Sequence, residues 1–190
     1  MSKATTWTQD ILQWQAWVTP VSDDEITEAR KAVLDTFAPA QANSPYYRVL
    51  VQAPEILRAR TDLFNESLRG EGLDRPDREL AAVGSSRATG CVYCASVHAR
   101  AYSGLIRDKS VVQQVLDEGT DAPIADRERA VVRFSAKLAL DPNNVDAPDV
   151  QPLRDQGFSD EEILDIAHSA AIFANANRLM LSLGQGVTGN

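Results

Sequence analysis

The sequence predicts an all-α protein, and three observations carry that expectation. Apolar residues recur at three- and four-residue spacing, as a helix with one buried face requires. Prolines and glycines fall where those segments begin and end, in the positions that suit helix starts and stops. Runs of alternating apolar and polar residues, the signature of a half-buried strand, do not recur.

Taken in order, residues 1–44 read as an N-terminal helical arm and residues 45–190 as one compact domain. The three tryptophans, Trp7, Trp14 and Trp17, all lie in the first seventeen residues, and Trp14 and Trp17 share a helical face with Ile11 or Val18. This arm is expected to dock on a neighbouring subunit, the alternative being that it folds onto its own core. Residues 23–37 carry Ile26, Ala29, Arg30, Val33, Leu34 and Phe37 at helical spacing behind acidic residues, an amphipathic helix. A helix from Pro54 to about Leu68 follows from proline at its start and Gly70 and Gly72 at its end, and another begins near Pro76. Residues 141–152, with three prolines and two asparagines, read as a connection. Ser159 and Glu162 form a capping box for a long, mostly buried helix that stops at Gly184. An internal echo, "DRELAAV" at 77–83 and "DRERAVV" at 126–132, suggests two weakly related helical halves.

Composition limits function. The 190 residues can bury a core without disulfide staples. Hydrophobic residues make up 44% and charged residues 24%, and the longest apolar runs fall short of the roughly 18 residues of a membrane span, so no membrane partner is expected. A net charge of −8 without a basic stripe argues against nucleic acid. The first residues lack the apolar stretch and cleavage site of a secretory signal, and a cytoplasmic location is expected. Thiols in that compartment stay reduced, so a C-x-x-C pair there points to metal or redox chemistry more than to a structural bridge.

Both cysteines fall in "ELAAVGSSRATGCVYCASVHAR", residues 79–100. A helix starting at Thr89 or Gly90, with Thr89 as its cap, puts Cys91, Cys94 and His98 on one stripe. Cys91 then lies in the first turn, where free backbone N–H groups favour a thiolate, and His98 lies one turn below Cys94, within reach of its proton. The "SSRATG" segment is expected to let the preceding helix fold back and bring Glu79 to His98. Glu79 can equally be an acidic residue favoured in a helix's first turn, and Glu128, its counterpart in the echo, serves as an internal comparison. Zinc wants four ligands and two cysteines with one nearby histidine supply three, so no metal is expected. His168 sits among core-type residues and reads as a hydrogen-bonded packing histidine, while Asn175, Asn177 and Arg178 stay unassigned.

At Glu79, Cys91, Cys94 and His98 the chain resembles the alkylhydroperoxidase D-like group of the carboxymuconolactone decarboxylase superfamily, whose pattern is a glutamate, a C-x-x-C twelve residues on and a histidine four beyond. The resemblance runs from about "YYRVLVQAPEILRARTDLF", residues 46–64, through the last helix. It implies a compact helical fold that forms homo-oligomers, and a thiol-dependent peroxidase for hydrogen or alkyl peroxides that needs no cofactor. Cys94 would be peroxidatic, Cys91 resolving, and Glu79 and His98 the proton relay, with an external dithiol, a small protein or a lipoyl-type group, as reductant. Some members carry a histidine between the cysteines where this chain has Tyr93, which is no base near neutral pH, so the relay rests on His98. A disulfide reductase without peroxide activity and a non-catalytic redox sensor or scaffold remain the alternatives.

Overall fold

Residues 2–188 are described by the structure, a computed structural model. The chain opens with strand β1 (Gln13–Ala16), followed by helices α1 (Glu28–Leu34), α2 (Pro39–Ala42), α3 (Pro45–Leu50) and α4 (Pro54–Arg69). Then come α5 (Arg75–Thr89), α6 (Val92–Ile106), α7 (Ser110–Glu118), α8 (Asp126–Leu140), α9 (Ala147–Asp155), the long α10 (Asp160–Leu183) and strand β2 (Gly184–Val187). The architecture is helical, with one antiparallel pair, β1–β2, joining the two ends of the chain.

The centre of the bundle is α5. Ten consecutive residues, Asp77 to Ser86, are buried, because α4, α6, α7, α8 and α10 all pack on it. The two helices that open on the repeated Asp-Arg-Glu, α5 and α8, lie against each other, and the Arg127 guanidinium reaches back to Asp77 at 2.7 Å. Buried Arg78 makes four hydrogen bonds: it donates to the carbonyls of Ser67, Glu71 and Leu73 and to the Asp165 carboxylate at 2.6 Å, which fixes the turn from α4 into α5 against α10. A charge this deep is tolerated only when paired and hydrogen-bonded.

Several expectations hold. Helix α4 begins at Pro54 and ends at Gly70, and α5 begins beside Pro76. The box at the start of α10 forms in both directions, Ser159 N–H to Glu162 at 2.7 Å and Glu162 N–H to the Ser159 hydroxyl at 3.2 Å, and the helix stops at Gly184.

Others are corrected. The expected helix over 23–37 divides, since Ser22 and Glu25 close a short 3-10 turn at Asp23–Glu25 and Thr27 then caps α1, which lasts seven residues. The 141–152 connection is only partly a connection: Asp146 and Asp149 form a capping box and α9 runs through Pro152. The arm is not a helix around its tryptophans. Residues 13–16 are extended and pair Trp14 with Gly186, so β1 takes the place of the expected helical face. Nor do Trp7 and Trp14 wait for a neighbouring subunit. Trp14 is 5% exposed and donates its indole N–H to the Met180 carbonyl at 3.1 Å, and the Trp7 ring lies 4.2 Å under the Arg87 guanidinium. Trp17 alone points outward.

Candidate active site

Helix α5 ends because Gly90 takes a left-handed conformation, φ 84°, which reverses the chain while the N–H groups of Gly90 and Cys91 both bond the Ser86 carbonyl. An L side chain there is strained, so glycine is what permits the tight turn. The expected cap is displaced by this. Thr89 is the last residue of α5, its hydroxyl turned back to Ser85 at 2.8 Å, and "SSRAT" is helix. The N-cap of α6 is Cys91 itself, one turn before Cys94.

The turn sets α5 and α6 side by side and brings Glu79 to His98. His98 Nδ1 lies 2.6 Å from Glu79 Oε2, and Arg75 holds the other carboxylate oxygen at 3.2 Å. Glu79 is 2% exposed and sits in the second turn of α5, too deep to be a helix-end charge alone, whereas Glu128 is half-buried in the first turn of α8. Burial pushes the Glu79 carboxyl up, but the hydrogen bond and charge of His98, together with Arg75, outweigh it and hold the group below its ordinary value. An ionised Glu79 can only accept, so the proton of this bond sits on Nδ1 and Nε2 is the nitrogen left free. The imidazole is fixed further by the Phe173 ring of α10, edge-on at 4.2 Å.

Both thiols are free and buried. They share hydrogen-bonding: the Cys94 thiol acting on the Cys91 sulfur lowers Cys91, as do the first-turn backbone N–H groups of Cys94 and Tyr93, against the opposing effect of burial. The same interaction, with burial and the Cys91 charge, holds Cys94 well above the ordinary thiol range. Of the two, Cys91 is therefore the sulfur that gives up its proton more readily, as expected at a helix N-terminus.

The two cysteines line different spaces. A cavity of about 440 Å3 is lined by Cys94, His98, Glu79 and Arg75 together with Tyr46, Tyr47, Arg60, Phe64, Phe173 and Met180. Cys91 lines instead a narrow cleft walled by Trp14, Trp17 and Gly184–Gly186, with Tyr93 and Met180 shared between the two. Glu79, bonded to His98, and Cys94 thus line one cavity, and Cys91 stands one turn before Cys94 at the start of α6. His168 corrects its expectation: it is exposed on the outer face of α10, since its buried neighbours Ile166, Ser169 and Ala170 face the other way. Asn177 is buried against the Ser86 hydroxyl and Arg178 donates to the Ala139 carbonyl, both structural. Among the described residues no three His, Cys, Asp or Glu side chains converge as a metal site, and no helix is long and apolar enough to cross a membrane.

Sequence reasoning missed Tyr46, Arg60 and Phe173, which come from α3, α4 and α10. No local signal marks them. Arg75 could have been found, because it stands four residues before Glu79 on one helix.

Residues 54–137 match the model of the carboxymuconolactone decarboxylase family. Among solved structures, the chain is similar to the alkylhydroperoxidase core of a peroxidase-related protein from Ralstonia eutropha, with 26% identity and a TM-score of 0.70 over 92% of this chain and 90% of that one. It is likewise similar to a peroxidase-related protein from Silicibacter sp., with 26% identity and a TM-score of 0.73 over 88% of each chain. The debrominase Bmp8, crystallised with 2,3,4-tribromopyrrole, shares the fold at 20% identity and a TM-score of 0.68, over 88% of this chain and 89% of that one. No curated protein matches the chain. Residues 54–137 are thus a carboxymuconolactone decarboxylase family segment, and the chain as a whole has the alkylhydroperoxidase D-like fold of that superfamily.

Proposed function

We propose that this chain is a thiol peroxidase in which Cys94 attacks hydrogen or alkyl peroxides and Cys91 resolves the product. The observation that carries the reading is the 2.6 Å Glu79–His98 bond in the wall of the cavity that Cys94 lines. Cys91 lines a separate cleft.

Attack requires Cys94 to lose its proton. His98 accepts it at Nε2 while Glu79 steadies the resulting imidazolium through Nδ1. The Cys94 thiolate then attacks the terminal oxygen of the peroxide, an S–O bond forms, the O–O bond breaks, and the alkoxide or hydroxide leaves with the proton from His98. The Cys91 thiolate displaces the hydroxyl of the Cys94 sulfenic acid, which departs as water with one further proton, and an intramolecular disulfide remains. An external dithiol, a small protein or a lipoyl-type group, supplies the two electrons that restore the pair. No metal or organic cofactor takes part, and the working form is a cytoplasmic homo-oligomer.

A peroxide-consumption assay with a panel of dithiol donors tests this. Turnover that vanishes in Cys94→Ser supports it. Reduction of a disulfide substrate without peroxide makes the protein a reductase, and neither activity makes it a sensor.

A further inference from the structure

Tyr46 is 4% exposed, yet among the described residues its hydroxyl has no hydrogen-bond partner. The same is true of Arg60 Nε. Both side chains line the Cys94 cavity, and the Arg60 guanidinium lies 5.9 Å from the centre of the Tyr46 ring. A buried hydroxyl without a partner forfeits the hydrogen bonds it made to water, and such groups persist in folded proteins mainly where something else repays them.

The placement is rigid. Trp14 stands edge-on to Tyr46 at 5.3 Å and Tyr47 does so from another side at 5.6 Å. Tyr46 belongs to one apolar cluster with Cys91, Cys94 and Met180, and charge on either thiol opposes ionisation of its hydroxyl. The acidic group in the cavity wall, Glu79, is already taken up by His98 and Arg75. What the cavity offers a ligand is therefore donors in want of an acceptor, beside a nucleophilic sulfur.

We infer that Tyr46 is a catalytic hydrogen-bond donor to the leaving oxygen of the peroxide, with Arg60 as the cation that positions it. The inference rests on the peroxidase reading and goes beyond it, because the Glu79–His98 relay carries a proton from the sulfur to the departing oxygen, whereas Tyr46 holds that oxygen by a hydrogen bond while its charge grows. As the O–O bond opens, negative charge grows on the departing oxygen, and a donor fixed beforehand stabilises that charge without reorganising. Burial keeps the phenol protonated, hence a donor, through the neutral range.

The test compares the whole chain with its Tyr46→Phe variant, which removes one oxygen and little else. Three quantities are measured: the rate of Cys94 oxidation by hydrogen peroxide and by cumene hydroperoxide, the rate of Cys94 alkylation by iodoacetamide, and the melting temperature. We expect oxidation to slow by about ten- to a hundredfold, the order of loss seen when one donor to a developing oxyanion is removed or somewhat less. Alkylation should stay within about twofold and the melting temperature should hold or rise, since an unpaired buried group has been deleted. Oxidation as fast as in the wild type overturns the inference alone. So does a parallel fall in alkylation, which would make Tyr46 a group acting on the thiol. A wild-type Cys94 inert to both peroxides removes the peroxidase reading and this inference together.

Discussion

Glu79 and His98, nineteen positions apart on adjoining helices, are joined by a 2.6 Å hydrogen bond in which the carboxylate is all but sealed from water. A carboxylate held below its ordinary value stabilises the fold only while it is ionised. That contribution is complete above the unfolded value, near 4.5, and is lost as pH falls through the lower folded value. Acid titration of unfolding should therefore show a loss of stability below pH 4.5 that Glu79→Gln reduces and Glu128→Gln leaves unchanged. Identical acid profiles for the two variants would show the pair to be energetically silent.

The thiols give a second prediction. Each sets the other's acidity, so deleting one should move the survivor in a known direction. Cys94→Ala removes the donor to the Cys91 sulfur, and Cys91 should titrate higher than in the wild type. Cys91→Ala removes the group that holds Cys94 up, and Cys94 should titrate lower. Thiolate absorbance against pH reads both shifts.

A third prediction separates the chemical roles. Under peroxide, Cys91→Ser should carry a sulfenic acid on Cys94 that a dimedone-type probe labels, Cys94→Ser should be largely unlabelled, and the wild type should form a disulfide. Mass spectrometry that finds the adduct on Cys91 in Cys94→Ser, at the rate of the other variant, would exchange the two roles.

Gly90 gives the fourth. Space around it is open, so an added methyl meets nothing, and the cost of Gly90→Ala is the left-handed backbone alone. About 1–2 kcal/mol is expected in a denaturation midpoint, with altered Cys91 reactivity because the same turn sets the N-cap of α6.

The arm gives the last. Trp14→Ala should cost about 3–5 kcal/mol, and Trp17→Ala, whose ring is 59% exposed, should stay within about 0.5 kcal/mol. Gly184→Ala should behave like a weakened clasp, since its new carbon would fall 2.3 Å from the Trp14 ring. Equal denaturation midpoints for the two tryptophan variants would contradict the burial.

What could be read from the sequence was local. The Ser159–Glu162 box and Pro54 act within one helical turn, and the Glu79, Cys91, Cys94 and His98 spacing lies within twenty residues, so their partners are near in the chain. The rest depends on distant contacts. Ile11, Trp14 and Val18 fit a helical spacing, yet the pairing of Trp14 with Gly186 decides their conformation. Three prolines and two asparagines make residues 141–152 read as a connection, although the Asp146–Asp149 cap starts a helix there. Thr89 looked like a cap because only the backbone of Gly90 reveals where α5 ends.

The β1–β2 clasp also orders events during synthesis. Gly184–Gly186 wall the cleft at Cys91, and Gly186 packs on the Tyr93 side chain beside it. These residues leave the ribosome after every helix of the bundle. Until they pair with Gln13–Ala16, which are made before the helices, the nascent chain presents Cys91 without that wall.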